Sequence, residues 1–222
     1  MTIYHSKKNN ERNKECYLMA KLYFYYATMN SGKSLQLLTT AHNFDEKAIP
    51  FLTMKSAKGK RDDPNFIKSR LGIKRECIVI EDEDDIYESV KNYTKTNEVK
   101  WILIDECQFL EETQIDDLAK IVDLLNINVM CFGLRTDFQS KAFPASKRLF
   151  ELADDIQEIK STCECGRKTS INARINENGE IILDGEQILV GGNETYKTMC
   201  RKCWNELKEK YMKNKKDLIM LT

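Results

Sequence analysis

Histidine is nearly absent from this chain. His5 and His42 are the only two among 222 residues, which removes most histidine-based acid–base chemistry and any histidine-rich metal site. Proton transfer and metal binding must therefore be sought in carboxylates and thiols. Proline occurs three times, and nothing in the composition is collagen-like or disordered. Excess charge is missing too: 35 Lys and Arg stand against 35 Asp and Glu. No global positive field gathers nucleic acid by counterion release, so a dedicated nucleic-acid binder is disfavoured. No apolar run approaches the roughly 20 residues of a membrane span. The opening MTIYHSKKNNERNK has no apolar signal-peptide core. A cytoplasmic protein is expected, and in that compartment thiols stay reduced.

The chain does have eight cysteines, 41% hydrophobic residues and length enough for one full core plus a smaller appendage. Residues 1–18 are polar and patternless. From residue 19 strands and helices alternate. Residues 22–26 are apolar and aromatic, as in a buried strand, and Leu35, Leu38 and Ala41 recur at helical spacing. Residues 49–53 and 77–80 read as strands, 84–92 as a helix with Ile86 and Val90 on one face, and 101–104 as a central strand. Thr113 and Asp116 resemble a capping box for a helix carrying Ile115, Leu118, Val122 and Leu125 along one face. Residues 127–132 follow as an apolar strand. Such alternation implies an α/β fold whose parallel sheet is covered on both faces, with ligands at the carboxyl ends of its strands. Near residue 158 the pattern changes: residues 169–175 and 180–183 flank an Asn178-Gly179 turn, a hairpin bounded by cysteine pairs.

Between the first strand and the first helix stand Ala27, Thr28, Met29, Asn30, Ser31, Gly32, Lys33 and Ser34. They match the phosphate-loop pattern G-x-x-x-x-G-K-[ST] with alanine in the first position, which chiefly needs a small residue. Successive backbone N–H groups and the positive end of the following helix would cradle phosphates. Gly32 permits close approach, Lys33 would meet the β and γ phosphates, and Ser34 would ligate Mg²⁺. Downstream, WILIDECQF ends an apolar strand in acid. Asp105 suits the position that holds the magnesium, and Glu106, with no histidine nearby in sequence, is the candidate general base.

Cys163-x-Cys165 and Cys200-x-x-Cys203, with 34 residues between the pairs, offer four thiolates for a closed tetrahedral zinc site. The first pair is one residue tighter than usual, and a redox pair is the competing reading. Cys77, Cys107 and Cys131 sit in or beside strands and read as inert core. The expected division is a disordered extension over 1–18, a nucleotide-binding α/β domain over 19–158, a zinc-binding domain over 159–207 and a basic helix or tail over 208–222.

Taken together, YYATMNSGKS, LIDECQF, GLRTDF, the cysteine pairs and ILVGGNETY resemble the cytosolic, zinc-containing type of thymidine kinase over residues 20–207. The resemblance implies a RecA-like P-loop domain plus a small zinc domain bearing a lasso loop, usually in a homotetramer. It implies transfer of the ATP γ-phosphate to the 5′-hydroxyl of thymidine, with feedback inhibition by the triphosphate end product, dTTP. It further implies Glu106 as the base for that hydroxyl, Lys33, Ser34 and Asp105 on phosphate and metal, and Arg61 near the transferred phosphate. Met29, Leu134, Phe138 and Phe143 would shape the base pocket, under a lasso over residues 184–196 that includes Val190, Gly191, Gly192 and Tyr196. Where the family usually carries an acidic residue just before the Arg61 position, Gly59 and Lys60 stand here. Two other functions compete: a RecA-like motor or switch ATPase, whose carboxylates would activate water, and a nucleic-acid-binding zinc hairpin regulated by the α/β domain.

Overall fold

The computed structural model describes residues 19–59, 63–187 and 196–219. The N-terminal extension expected over 1–18 lies outside them. Strand β1 (Leu22–Ala27) leads into helix α1 (Lys33–Glu46), then β2 (Phe51–Ser56), a small antiparallel pair β3 (Phe66–Lys68) and β4 (Lys74–Glu76), and β5 (Ile78–Ile80). Helix α2 (Ile86–Tyr93), β6 (Trp101–Asp105), a 3-10 turn (Cys107–Phe109), α3 (Glu112–Leu125), β7 (Asn128–Leu134), α4 (Pro144–Leu152) and β8 (Asp155–Glu158) complete the larger unit. The smaller one holds β9 (Ile171–Ile175), β10 (Ile181–Ile182), β11 (Tyr196–Met199) and helix α5 (Arg201–Ile219).

Six strands form one all-parallel sheet in the order β5-β2-β6-β7-β1-β8. Side chains alternate across a strand, and both faces of this sheet are apolar. Phe24, Ile102, Ile104, Val129 and Cys131 face α3 and α4 through Ile115, Leu118, Ile121 and Leu149. Tyr25, Leu103 and Phe132 face α1 through Leu37, Leu38 and Ala41. Each such side chain, once buried, contributes about 1.5–3 kcal/mol relative to exposure. This two-sided burial is why the strands read as near-continuous hydrophobic runs.

Several expectations shift. The second strand begins at Phe51 rather than residue 49, because Pro50 has no N–H to give a ladder. Its carbonyl instead accepts Lys100 N at 2.9 Å, and pairing starts with Phe51 opposite Trp101. The capping box opening α3 is Glu111 with Gln114, two residues before the expected Thr113 and Asp116, and Gln114 Oε1 accepts Glu111 N at 3.1 Å. The hairpin around Gly179 forms, with Ile181↔Ile175 and Ile182↔Arg174 paired, and β11 adds a third strand on the other side of β9. Helix α5 begins at Arg201 and runs unbroken through 207 and 208.

Candidate active site

Strand β7 separates β1 from β6 in the sheet, so the loop after β1 and the carboxylates ending β6 meet across one strand width at the same edge. The loop turns by placing Asn30 at φ 62° and Gly32 at φ 84°. Gly32 meets nothing within 4 Å of a built-on Cβ, so it serves for its backbone angle alone. Its carbonyl accepts Gln36 N at 2.9 Å, which starts α1 directly behind the loop. Lys33 is buried and donates from Nζ to Thr28 O at 3.1 Å, spanning the loop's mouth.

Ser34 Oγ donates to Asp105 Oδ2 at 2.8 Å, and Asp105 Oδ1 accepts Glu106 N at 3.0 Å. Asp105 is only 3% exposed. Burial, and then the neighbouring Glu106 charge, push its carboxyl up to about 6, while the Ser34 hydroxyl, the Lys33 charge and the Glu106 amide pull it back. An alcohol and a carboxylate converging at a sheet edge match the oxygen preference of Mg²⁺. Glu106 adopts the left-handed conformation, φ 53° and ψ 35°, where it opens the 3-10 turn. For a residue bearing a Cβ that conformation costs on the order of 1 kcal/mol.

Beside these groups lies an apolar cluster of Met29, Leu134 and Phe143, with Phe109 and Tyr196 packed against it. Phe109 and Phe143 meet edge to face at 5.8 Å. Phe138 is 1% exposed, and one of its faces is covered by the Arg174 guanidinium, 3.7 Å from the ring centroid. Arg174 Nη2 and Nε donate to Tyr196 Oη at 2.7 and 3.2 Å.

The four cysteine sulfurs lie within 4.8 Å of one another. Cys163 Sγ to Cys203 Sγ is 3.9 Å and Cys165 Sγ to Cys200 Sγ is 3.5 Å. A tetrahedron of Zn–S bonds of ~2.3 Å sets sulfurs about 3.8 Å apart, so the group fits a zinc ion and not a disulfide pair. The tight first pair is accommodated by a turn in which Gly166 takes φ 83° and its N–H donates to Cys163 O at 2.8 Å. The thiols share protons unequally. Cys200 is drawn down to about 6, first by an N–H of the Cys203 backbone, and Cys203 is pushed up to about 12, first by its contact with Cys165.

The cysteine unit is sewn to the phosphate loop. Thr28 Oγ1 lies 3.1 Å from Ser161 Oγ and 3.0 Å from Thr169 Oγ1, and Ser161 and Thr169 bond one another. Asn172 Oδ1 accepts Met29 N at 2.7 Å, and Asn172 Nδ2 donates to Thr136 O at 3.1 Å.

With that geometry in view, comparison with known proteins gives one answer. The family model described as thymidine kinase matches residues 20–204. A thymidine kinase of Mannheimia succiniciproducens is 45% identical over 183 residues, 82% of this chain and 94% of that protein. One of enterobacteria phage T4 is 44% identical over 192 residues, 86% and 99% of the two chains. One of Haemophilus influenzae (strain 86-028NP) is 41% identical over 188 residues, 85% and 97%. This chain belongs to the thymidine kinase family.

Of the residues that the family resemblance singles out, the structure brings Lys33, Ser34, Asp105 and Glu106 to one edge. It sets Met29, Leu134, Phe143 and Tyr196 beside them, and gathers all four cysteines. Arg61, Val190, Gly191 and Gly192 lie outside the described residues. Four residues around this candidate site escaped the sequence reading: Gln108, Asn172, Arg174 and Lys55. Asn172 and Arg174 alternate along β9, and Lys55 pairs in register with Asp105. Polar residues at every second place of an apolar strand are the one signal that could have pointed to the first pair.

Proposed function

We infer that this protein phosphorylates thymidine, moving the γ-phosphate of MgATP to the nucleoside 5′-hydroxyl to give dTMP. The observation that carries the reading is the Ser34–Asp105–Glu106 group set against the Met29, Leu134 and Phe143 cluster, in a chain that matches thymidine kinases over nearly their whole length. Phosphoryl transfer asks a protein mainly to align two oxygens and neutralise spreading charge. In this reading the amides of residues 27–34 and Lys33 hold the triphosphate, while Ser34 and Asp105 would hold a divalent ion, which would supply neutralising charge. Glu106 accepts the 5′-hydroxyl proton as the oxygen attacks, with Arg61 beside the transferred group. No covalent enzyme intermediate is needed. Met29, Leu134, Phe138, Phe143 and Tyr196 bound the thymine, and the family resemblance assigns Val190, Gly191 and Gly192, outside the described residues, to the same pocket.

The four cysteines hold a structural zinc. The finer family traits belong to the same reading: a cytoplasmic homotetramer inhibited by dTTP. No helix among the described residues is long and apolar enough to cross a membrane. The competing motor or switch ATPase is not favoured, since the relatives carry the thymidine kinase name at 41–45% identity.

Incubating the purified protein with MgATP and thymidine, and separating the products by chromatography, tests the reading. dTMP formed with one ADP per turnover is expected. ATP hydrolysis stimulated by DNA, with no dTMP formed, would overturn it.

A further inference from the structure

Gln108 occupies a position that the catalytic roles proposed above leave unexplained. It is 2% exposed and lies in the 3-10 turn, two residues after Glu106. Its amide makes two hydrogen bonds of opposite sense: Nε2 donates to Glu106 Oε2 at 2.5 Å, and Oε1 accepts Leu134 N at 2.9 Å. The second bond dictates the first. Leu134 N–H can only donate, so the oxygen of the Gln108 amide must face it and the NH₂ must face the carboxylate. Leu134 is itself fixed, because its carbonyl accepts Ser146 Oγ at 2.6 Å from fully buried Ser146 on α4.

The fit is close because residue 133 is glycine. A Cβ there would lie 2.5 Å from Cys107 Sγ and 2.8 Å from Gln108 Oε1, so any larger residue would drive the amide out. A flexible glutamate side chain on a backbone in the left-handed region is thereby held by one oxygen, and among the described residues the other oxygen has no hydrogen-bond partner.

We propose that Gln108 is a positioning residue for phosphoryl transfer: it locks the Glu106 carboxylate and ties it to Leu134, a wall of the nucleoside pocket, so that base and acceptor are set by one hydrogen-bonded path. The proposal rests on the thymidine kinase reading and adds to it a residue that touches neither phosphate nor metal. Loss of such alignment lowers the rate of the bound complex more than it weakens binding, since a displacement near 1 Å can cost on the order of 100-fold in rate.

Two variants test it in the full-length protein, with steady-state kinetics for both substrates and thermal denaturation measured side by side. Gln108→Met keeps the volume and loses both bonds. Gln108→Glu keeps an acceptor for Leu134 N–H and replaces the donor with a second carboxylate facing Glu106. Both are expected to lower kcat at least ~10-fold, with KM for ATP and thymidine changed less than about threefold. Gln108→Glu keeps the Leu134 bond but sets a second buried carboxyl against Glu106, so some loss of melting temperature is expected and kcat is compared per folded molecule. Wild-type kcat in folded Gln108→Glu overturns the positioning role, as does a loss of kcat that merely follows the folded fraction. In either case wild-type dTMP formation still stands, whereas a wild-type protein that makes no dTMP overturns the kinase reading and this inference with it.

Discussion

Asn172 Oδ1 accepts the backbone N–H of Met29 at 2.7 Å, joining residues 143 positions apart. The bond crosses from the strand next to the cysteine cluster to the third residue of the phosphate loop. The bond is buried, so loss of the acceptor removes a buried hydrogen bond, at about 0.5–1.5 kcal/mol. Asn172→Ala is expected to lower stability by that amount and to raise KM for ATP more than KM for thymidine. Thermal denaturation with and without MgATP, together with initial rates, measures both. Equal KM values in variant and wild type would remove the link between hairpin and loop.

The same bond would give a metal held by the four cysteines a reach beyond its own ligands. Ile171 and Ala173 of β9 pack with Cys163 and Cys200, while Asn172 points the other way, to Met29. One zinc per chain is expected by elemental analysis. Chelation, or Cys200→Ala, should unfold the small unit and weaken ATP binding together, because metal binding is folding energy for such a unit. A metal-free protein with unchanged nucleotide affinity would sink this coupling.

Glu106→Gln tests the base. The amide keeps size and polarity but cannot take a proton, and the expected result is ATP binding within a factor of a few with turnover down at least ~100-fold. Nucleotide titration and single-turnover rates separate the two effects. Wild-type turnover in this variant would remove Glu106 from the role.

Asp105 predicts a pH dependence of the protein free of magnesium and nucleotide. Its carboxyl is held at about 6 against an ordinary 3.8 by burial and by Glu106. The native state therefore keeps a proton that the unfolded chain loses, so stability falls as pH rises from about 4 to about 6 and stays lower above it. A difference of that size is on the order of 3 kcal/mol. Asp105→Asn should be more stable than wild type at pH 7.5 and no more stable near pH 4, by denaturant unfolding. A gap that does not change with pH would show the charge is not under strain.

The sheet was legible because its strands are buried on both faces and its loops carry chemistry in short consecutive runs. The phosphate loop needs consecutive amides, and the acids end a strand, so both lie in single stretches of sequence. The Cys163–Cys203 group was legible by residue type and spacing alone. The edge strand β8 and the pair β3 and β4 were not, since half-exposed stretches such as Asp155–Glu158 and Lys74–Glu76 carry too little apolar pattern. Gln108, Asn172 and Arg174 were hidden for a different reason. Each acts by meeting a residue 22 to 143 positions distant; the alternation of Asn172 and Arg174 along β9 marks a shared face, and no local pattern names the partner.

Arg174 supplies the last test. Its guanidinium is 3% exposed and has no ion-pair partner among the described residues, only Tyr196 Oη and the faces of Phe138 and Tyr196. Burying a cation without a carboxylate costs stability, and stacking at such a site returns on the order of 2 kcal/mol. A side chain kept under that penalty holds two aromatic rings in fixed relation at the wall of the pocket assigned to thymine. Arg174→Met retains much of the stacking volume and discards the charge and the bonds to Tyr196. Melting is expected to hold or rise, while KM for thymidine rises several-fold and KM for ATP stays level. A fall in melting temperature with unchanged KM for thymidine would instead make Arg174 a packing residue of the small unit.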